Sequence, residues 1–138
     1  MADAATLMIS VGSYLPERVV TNEELTAFVD TSDEWIRQRT GIAQRHIVAE
    51  GEKTSDMACH AATKALDRAG LAAGDIDLII IATSTPDDTF PSTATKVQHR
   101  LGAHAAVAFD VQAVCAGFVY ALDVADALLS AGRGKRAL

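Results

Sequence analysis

The sequence predicts an α/β protein in which short buried strands alternate with helices around a largely parallel sheet. Apolar runs rich in β-branched residues occupy residues 6–12 (TLMISVG), 77–84 (DLIIIATS) and 105–111 (AAVAFDV), and they do not alternate with polar residues. Runs of this kind are typical of strands that are buried on both faces. Helical patterns separate the runs, as expected for βαβ units.

Two short helices are predicted in the first third of the chain. Thr21 stands three residues before Glu24, and this is the spacing of a capping box at a helix start. Thr31 has the same relation to Glu34 and predicts the second helix. Residues 42–48 (IAQRHIV) then alternate apolar and polar side chains, which is typical of a hairpin or an edge strand.

Three longer helices are predicted after these. The first spans residues 54–69, is apolar on one face and is followed by Gly70, a residue type that ends helices. The second runs from about residue 93 to 101 and stops at Gly102. The third, from about residue 115 to 131, is apolar nearly all round, which is typical of a helix inside a large structure.

The composition indicates a globular protein and excludes several functional classes. Hydrophobic residues make up 49% of the chain and charged residues 22%, which predicts a packed core and not a disordered chain. The net charge is −6, and the one basic group, at residues 133–136, does not suggest nucleic-acid binding. The first residues do not resemble a signal peptide, and no apolar run is long enough to span a membrane. We therefore expect a cytoplasmic protein.

Cys115 is the main candidate for chemistry, because a strand-like run gives way to a helix-like run around it. It is predicted to lie in the first turn of its helix, where free backbone N–H groups and the helix dipole stabilise a thiolate. A thiolate is the nucleophilic form of cysteine. The position equally suits a small buried apolar residue, so the residues themselves leave both interpretations open.

The other cysteine and the histidines carry no comparable signal. Cys59 lies in the middle of a predicted helix, beside its alanine face, and we expect it to pack in the core. The two cysteines have neither metal-site nor CxxC spacing, so we expect both to be reduced. The four histidines share no metal-like spacing with each other or with acidic residues. We predict no metal site and assign no histidine as a base for Cys115.

Longer motifs make the chain resemble a known family. The motifs are GSYLPERVVTNEEL (12–25), VDTSDEWIRQRTGI (29–42), FPSTA (90–94) and AFDVQAVCAGFVYAL (108–122). In this order they closely resemble the N-terminal part of β-ketoacyl-acyl carrier protein synthase III, the initiating condensing enzyme of bacterial fatty-acid synthesis, in the thiolase superfamily. The resemblance implies that residues 1–138 are the first half, of βαβαβαβ type, of a five-layer αβαβα fold whose C-terminal half is absent here.

The resemblance also implies roles for individual residues. Cys115 matches the cysteine that accepts the acyl group, and Phe90 matches a residue that reaches across the dimer interface to limit the partner's acyl pocket. Trp35 and Arg39 match coenzyme A contacts, and Thr31 sits in the matching loop. Without the family, Trp35 fits a core anchor and Arg39 a solvated charge. Phe90 alone fits either a buried loop anchor or an interface residue.

An acyltransferase is therefore the expected function. Acyl-CoA would load Cys115, and decarboxylative condensation with malonyl-acyl carrier protein would give 3-ketoacyl-acyl carrier protein. The resemblance implies a homodimer without metal or organic cofactor, with acyl-CoA as a substrate. The family's catalytic histidine and asparagine lie in its second half, which these residues do not match. We therefore expect no condensation by the 138 residues alone.

Two alternatives remain at this point. One is a synthase III-like acyltransferase of secondary metabolism, which would share the cysteine and the coenzyme A region. The other is a non-catalytic assembly module that pairs with a separate C-terminal polypeptide or with itself. Ala137 and Leu138 look like the start of another strand, and the apolar last helix needs a covering surface, which favours pairing. The presence of Cys115, Trp35 and Arg39 disfavours a purely structural role.

Overall fold

The computed structural model describes residues 6–138, which belong to two units. The smaller unit is Leu15–Glu52, and the larger combines residues 6–14 with Lys53–Leu138. Strands and helices alternate, which confirms the predicted α/β class. In chain order they are β1 (Arg18–Thr21), α1 (Asn22–Leu25), α2 (Asp33–Thr40), β2 (Gln44–Ile47), α3 (Thr54–Ala69), β3 (Leu78–Ala82), α4 (Thr93–Leu101), β4 (Val107–Val111) and α5 (Gly117–Ser130).

The smaller unit is built on an antiparallel strand pair. Strand β1 pairs with β2, which confirms the predicted hairpin or edge strand at residues 42–48. Asn22 is buried beside this pair, and its side-chain amide donates hydrogen bonds to the Asp33 carboxylate and to the Ile42 carbonyl, both at 2.8 Å. The Asn22 oxygen accepts from the Arg45 guanidinium at 2.6 Å. A single buried amide therefore joins three segments of the unit.

Side-chain caps begin both helices of the smaller unit. The hydroxyl of Thr21 accepts a hydrogen bond from the Glu24 N–H at 3.2 Å, which confirms the predicted start of α1. The predicted cap of α2 at Thr31 is wrong, because Ser32 occupies the cap and its hydroxyl accepts from the Trp35 N–H at 3.1 Å. Serine and threonine are both good caps, so adjacent residues of these types leave the choice to the backbone.

The larger unit is built on parallel strands. Strand β3 pairs with β4 along its full length, beginning with Leu78 opposite Val107, which confirms both predicted strands. On the other edge of β3, a parallel bridge joins Leu78 to Ala137, and the Leu138 N–H donates to the Leu78 carbonyl at 2.8 Å. Strand β3 is therefore bonded on both edges, as the strand-like character of the last two residues predicted.

Helices lie on both faces of this strand pair. Helices α3 and α4 cover the face that carries Ile79 and Ile81, and the core there contains Ile79 and Val97 at 0% exposure. Helix α5 lies on the opposite face, because a Cβ atom on Gly117 would be 3.3 Å from the Cβ of Ala82. Ala82 points away from Ile81, since neighbouring residues of a strand face opposite sides.

Residues 6–12 do not form the predicted strand. Within residues 6–138 no strand pairs with this segment, so its apolar pattern is not used in a sheet. Helix α3 holds it instead. The Ser10 hydroxyl donates to the Ala65 carbonyl at 2.8 Å, and the Arg68 guanidinium donates to the Val11 carbonyl at 2.7 Å. The apolar side chains of the segment remain largely exposed.

The predicted bounds of α3 and α4 are confirmed, and both helices end at a glycine in the left-handed conformation, Gly70 and Gly102. The prediction for the last helix is wrong at its start. A 3-10 turn, Val114–Ala116, precedes α5, which begins at Gly117. Cys115 therefore lies in the turn before the helix and not in its first turn. Hydrogen bonds between residues three apart, typical of a 3-10 turn, replace there the four-residue spacing of an α-helix.

Candidate active site

The turn between β4 and α5 presents the candidate nucleophile. Cys115 is exposed in the middle of the 3-10 turn, which excludes the buried packing role for it in this structure. The residue before it, Val114, has a φ of 46°, in the left-handed region that β-branched residues rarely adopt. Strained residues of this kind cluster at functional sites. The turn resembles the sharp strand-to-helix connection that presents nucleophiles in other α/β enzymes.

The start of α5 has no side-chain cap. Ala116 stands at the cap position without a side-chain acceptor, and the first turn of the helix contains no acidic residue. The first N–H groups of an α-helix have no partner within the helix, and they interact favourably with negative charge. Cys115 stands two residues before Gly117, whose N–H donates to the Val114 carbonyl. The positive end of the helix dipole faces this turn, which suits an oxygen atom that gains negative charge.

Cys59 has the opposite environment. It lies in α3, is 9% exposed and belongs to the core between α3, α4 and β3. Burial raises the pKa of its thiol. A buried thiol with a raised pKa is a poor nucleophile at neutral pH. The prediction that Cys59 packs in the core is confirmed.

Phe90 projects from the loop between β3 and α4 and is 88% exposed, so it is not a buried loop anchor. Side chains and backbone groups hold the loop from the start of α3. The Thr54 hydroxyl donates to the Thr85 carbonyl at 2.7 Å, and the Ser55 N–H donates to the Asp87 carboxylate at 2.9 Å. An exposed aromatic ring on a well-bonded loop is typical of a contact surface.

Two carboxylates organise this loop. Burial opposes ionisation of Asp87, but hydrogen bonds from Ser55 and the charges of Lys96 and Lys53 together outweigh it, so the pKa of Asp87 lies below its ordinary value. Asp110, in β4, accepts a hydrogen bond from the Thr93 N–H at 2.8 Å and from the Ala94 N–H at 2.7 Å. Sequence analysis did not single out Asp110. The sequence does contain an indication of its role. Asp110 is an acidic residue inside an otherwise apolar strand, AVAFDV, and a carboxylate removed from water needs hydrogen-bond donors.

Helix α2 presents Trp35 and Arg39 together. Trp35 is 56% exposed, and the Arg39 guanidinium carbon lies 5.7 Å from the centroid of its ring, within the range of a cation–π contact. Trp35 is therefore not a core anchor. An exposed indole can stack on a flat heteroaromatic ring, and a guanidinium can pair with a phosphate group.

Thr31 lies just before α2. Its hydroxyl oxygen is buried and has no hydrogen-bond partner among the described residues. A buried hydroxyl of this kind can be satisfied by a bound ligand. Thr31 belongs to the same unit as Trp35 and Arg39, whereas Cys115 and Phe90 belong to the larger unit. The predicted site residues thus form two sets, each within its own unit.

Residues 6–138 do not place three or more His, Cys, Asp or Glu side chains together as a metal site would require. The helices of the same residues include none that is both long and apolar enough to cross a bilayer. Cys115, with its exposed thiol, remains the candidate reactive group of this site.

Sequence comparison connects this chain to one group of enzymes. The family described as 3-oxoacyl-[acyl-carrier-protein (ACP)] synthase III matches residues 109–138, the segment that contains the Cys115 turn. The β-ketoacyl-[acyl-carrier-protein] synthase III of Paramagnetospirillum magneticum is 62% identical over 131 residues, which are 95% of this chain and 40% of the relative. The chain thus spans about 40% of the length of the curated relatives it matches.

Solved structures give the same result. The crystal structure of 3-oxoacyl-[acyl-carrier-protein] synthase III from Aquifex aeolicus is 50% identical, with a TM-score of 0.89 over 94% of this chain and 42% of that chain. The priming β-ketosynthase of the R1128 polyketide biosynthetic pathway is 38% identical, with a TM-score of 0.86 over 91% of this chain and 38% of that chain. The predicted thiolase-like fold of an N-terminal half is confirmed.

Proposed function

Because the chain belongs to the β-ketoacyl-acyl carrier protein synthase III family and matches its N-terminal portion, we propose that it carries the nucleophile of an acyltransferase that initiates fatty-acid synthesis. One observation supports this most strongly. The exposed thiol of Cys115 stands on a strained turn before the uncapped start of α5. A core residue would need neither exposure nor a strained turn.

In the first step, the sulfur of Cys115 attacks the thioester carbonyl carbon of acyl-CoA. A new carbon–sulfur bond forms to Cys115, the bond to the coenzyme A sulfur breaks, and the proton of the Cys115 thiol leaves with coenzyme A. The carbonyl oxygen carries negative charge in the tetrahedral intermediate. The backbone N–H of Cys115 contributes to the stabilisation of that oxygen, as in other oxyanion holes.

In the second step, malonyl-acyl carrier protein loses carbon dioxide, and the resulting carbanion attacks the acyl thioester on Cys115. A carbon–carbon bond forms, the Cys115 thiolate leaves, and the product is 3-ketoacyl-acyl carrier protein. Both substrates are already activated as thioesters, so the proposed reaction uses no metal or organic cofactor. Decarboxylation requires groups from the portion of the relatives that this chain does not match. We therefore expect condensation to need that portion.

The smaller unit is proposed to bind coenzyme A. The exposed ring of Trp35 can stack on adenine, and the guanidinium of Arg39 can pair with a phosphate group. The unpartnered hydroxyl of Thr31 can hydrogen-bond to the same ligand. Phe90, almost fully exposed on its loop, is proposed to contact the second subunit of a homodimer and to limit its acyl pocket.

The test is the intact mass of the purified protein after incubation with acetyl-CoA. We expect an added acetyl group on the wild type and on Cys59→Ala, a matched control that removes the buried thiol. We expect no added mass on Cys115→Ala. A wild type that gains no acetyl group, or a Cys115→Ala variant that still gains one, would contradict the proposal. The same spectra are searched for a copurifying polypeptide, which would support the assembly-module alternative.

A second candidate is an acyltransferase of secondary metabolism. The fold similarity to the priming β-ketosynthase of the R1128 polyketide pathway, with a TM-score of 0.86, favours it. Both functions load an acyl group on cysteine, so the second substrate separates them. In a protein that also contains the portion that this chain does not match, the acetyl group on Cys115 should pass to malonyl-acyl carrier protein under the first proposal. Release to small acceptors only would favour the second.

A further inference from the structure

The loop that carries Phe90 is fixed at both ends to strand β4, which leads to Cys115. At the start of the loop, the Thr83 N–H donates to the Val111 carbonyl at 3.1 Å. At its end, Asp110 accepts the first two N–H groups of α4 at 2.8 Å and 2.7 Å. Two adjacent residues of one strand therefore hold the loop, and the turn with the nucleophile begins shortly after them, at Val114.

Asp110 adds to the side-chain capping of α4, because it accepts the two first-turn N–H groups that Ser92 does not reach. Helix α4 already has a side-chain cap, because the Ser92 hydroxyl accepts from the Thr95 N–H at 3.3 Å. The Asp110 carboxylate also joins β4 to the start of α4, because each of its oxygens accepts one N–H group of the helix. Hydrogen bonds to a charged acceptor are stronger than neutral ones. An asparagine of the same shape would offer one acceptor and place a donor against the other N–H.

We propose that Asp110 is a positioning residue for acyl-chain selectivity, which fixes the loop of Phe90 to strand β4 and acts through Phe90 on the acyl pocket of the second subunit. The inference rests on the proposed function, in which Cys115 carries the acyl group and Phe90 limits an acyl pocket. Asp110 itself neither attacks the substrate nor contacts the reacting atoms. Its loss changes which acyl groups are accepted, and it leaves the chemistry of the thiol in place.

The first experiment is a double-mutant cycle in the protein that carries this chain. Cys115 loading rates with acetyl-CoA and with hexanoyl-CoA are measured by intact mass for wild type, Asp110→Asn, Phe90→Ala and the double variant. We expect Asp110→Asn to change the ratio of the two rates by about threefold or more. It should change the ratio no further when Phe90 is already alanine. Asp126→Asn, at an exposed position of α5, is the matched control and should keep the wild-type ratio.

Two results of this cycle would overturn the inference. If Asp110→Asn slows both acyl-CoA substrates by the same factor, its effect is a general loss of structure and not selectivity. If the effects of Asp110→Asn and Phe90→Ala on the ratio multiply, Asp110 does not act through Phe90. A merely destabilised protein would show the first result, so thermal unfolding of each variant is measured beside the rates.

A second readout does not depend on acyl transfer. The fluorine NMR signal of 4-fluorophenylalanine at position 90 is compared between wild type, Asp110→Asn and Asp126→Asn. We expect Asp110→Asn alone to shift or split the signal, because the loop loses its fixed position. An unchanged signal would overturn the inference. If the signal responds but the wild type loads no acyl group, the positioning by Asp110 is supported and the proposed function fails.

Discussion

The two faces of the parallel strands β3 and β4 are built in different ways. On one face, α3 and α4 enclose a core in which Ile79 and Val97 are fully buried. Carboxylates tie the starts of these helices to other elements. Asp87 accepts from the second residue of α3, and Asp110 accepts from the first two residues of α4. Apolar burial and satisfied backbone donors make this the stable face of the unit.

On the other face, α5 begins without a side-chain cap and carries exposed apolar residues along its length. Phe118 is 65% exposed and Val119 is 61% exposed. The thiol of Cys115 stands at the start of this helix, beside donors that no side chain has satisfied. Carboxylates therefore accept N–H groups at the starts of α3 and α4, whereas α5 has no side-chain acceptor at its start and its first N–H donates to the Val114 carbonyl.

The largest expected difference between the faces is in thiol reactivity. Iodoacetamide should alkylate Cys115 faster than Cys59 by roughly a hundredfold, because Cys59 must await local opening of the core and burial raises the pKa of its thiol. Intact-mass kinetics on the wild type and on each Cys→Ala variant measure the two rates. The rates should converge in concentrated urea. Equal rates in native buffer would contradict the difference between the faces.

Removal of the Asp110 carboxylate, which joins β4 to α4, tests the face that α3 and α4 cover. We expect Asp110→Ala to lower the free energy of unfolding by about 2 kcal/mol, since two N–H groups lose a charged acceptor. Urea titration followed by circular dichroism measures the change. Asp126→Ala, on exposed α5, serves as the control and should stay within about 0.5 kcal/mol of wild type. Equal losses in both variants would show that the tie contributes nothing specific.

A substitution can introduce a charged side chain at the uncapped start of α5. Ala116→Asp places a carboxylate at the cap position, where it interacts with the helix dipole and competes with a thiolate at Cys115. We expect alkylation of Cys115 at neutral pH to slow by about threefold. Ala116→Asn, which has the same shape without the charge, is the control. A rate that does not respond to the charge would argue that these donors do not stabilise the thiolate.

The smallest expected effect concerns acid stability. A backbone hydrogen bond from Lys53 and a side-chain hydrogen bond from Arg100 lower the pKa of Asp56 below its ordinary value of 3.8. Because the folded-state pKa is the lower one, the unfolded chain binds the proton first as the pH falls. The stabilisation is therefore complete above the unfolded value and is lost as the pH falls through the folded value. Asp56→Asn should lose less stability than wild type between pH 6 and about pH 3.

Urea midpoints at several pH values measure this effect. Asp126→Asn is again the control, and its acid response should match that of the wild type. If Asp56→Asn shows the full acid loss of the wild type, the hydrogen bonds to Asp56 do not contribute to acid sensitivity. The contacts of Arg100 with Asp56 and Ser55 would then stabilise the fold through Arg100 itself and not through the ionised Asp56.

Much of the larger unit could be predicted from the sequence, because its signals are local. The apolar runs of β3 and β4 contain enough β-branched residues to identify buried strands, and each of α3 and α4 ends at a glycine. The wrong prediction of a first strand depends on distant partners. Residues 6–12 have the pattern of a strand, but no strand among residues 6–138 offers them an edge.

The site was predictable in its residue types but not in its geometry. A cysteine between a strand and a helix identified the candidate nucleophile, whereas no sequence pattern predicted the positive φ of Val114 or the 3-10 turn. Asp110 and the N–H groups of α4 are 16 and 17 residues apart in the chain. No local sequence pattern connects them, so only the structure shows the hydrogen bonds between them.

The double pairing of β3 determines the order in which the larger unit can fold. The β3–β4 pair closes the shorter loop, with Leu78 opposite Val107, whereas the second edge needs Leu78 to meet Ala137. Longer loops cost more entropy to close, and non-local contacts slow folding. We therefore expect β3, α4 and β4 to assemble first. The second edge of β3 then closes after α5 has crossed the sheet.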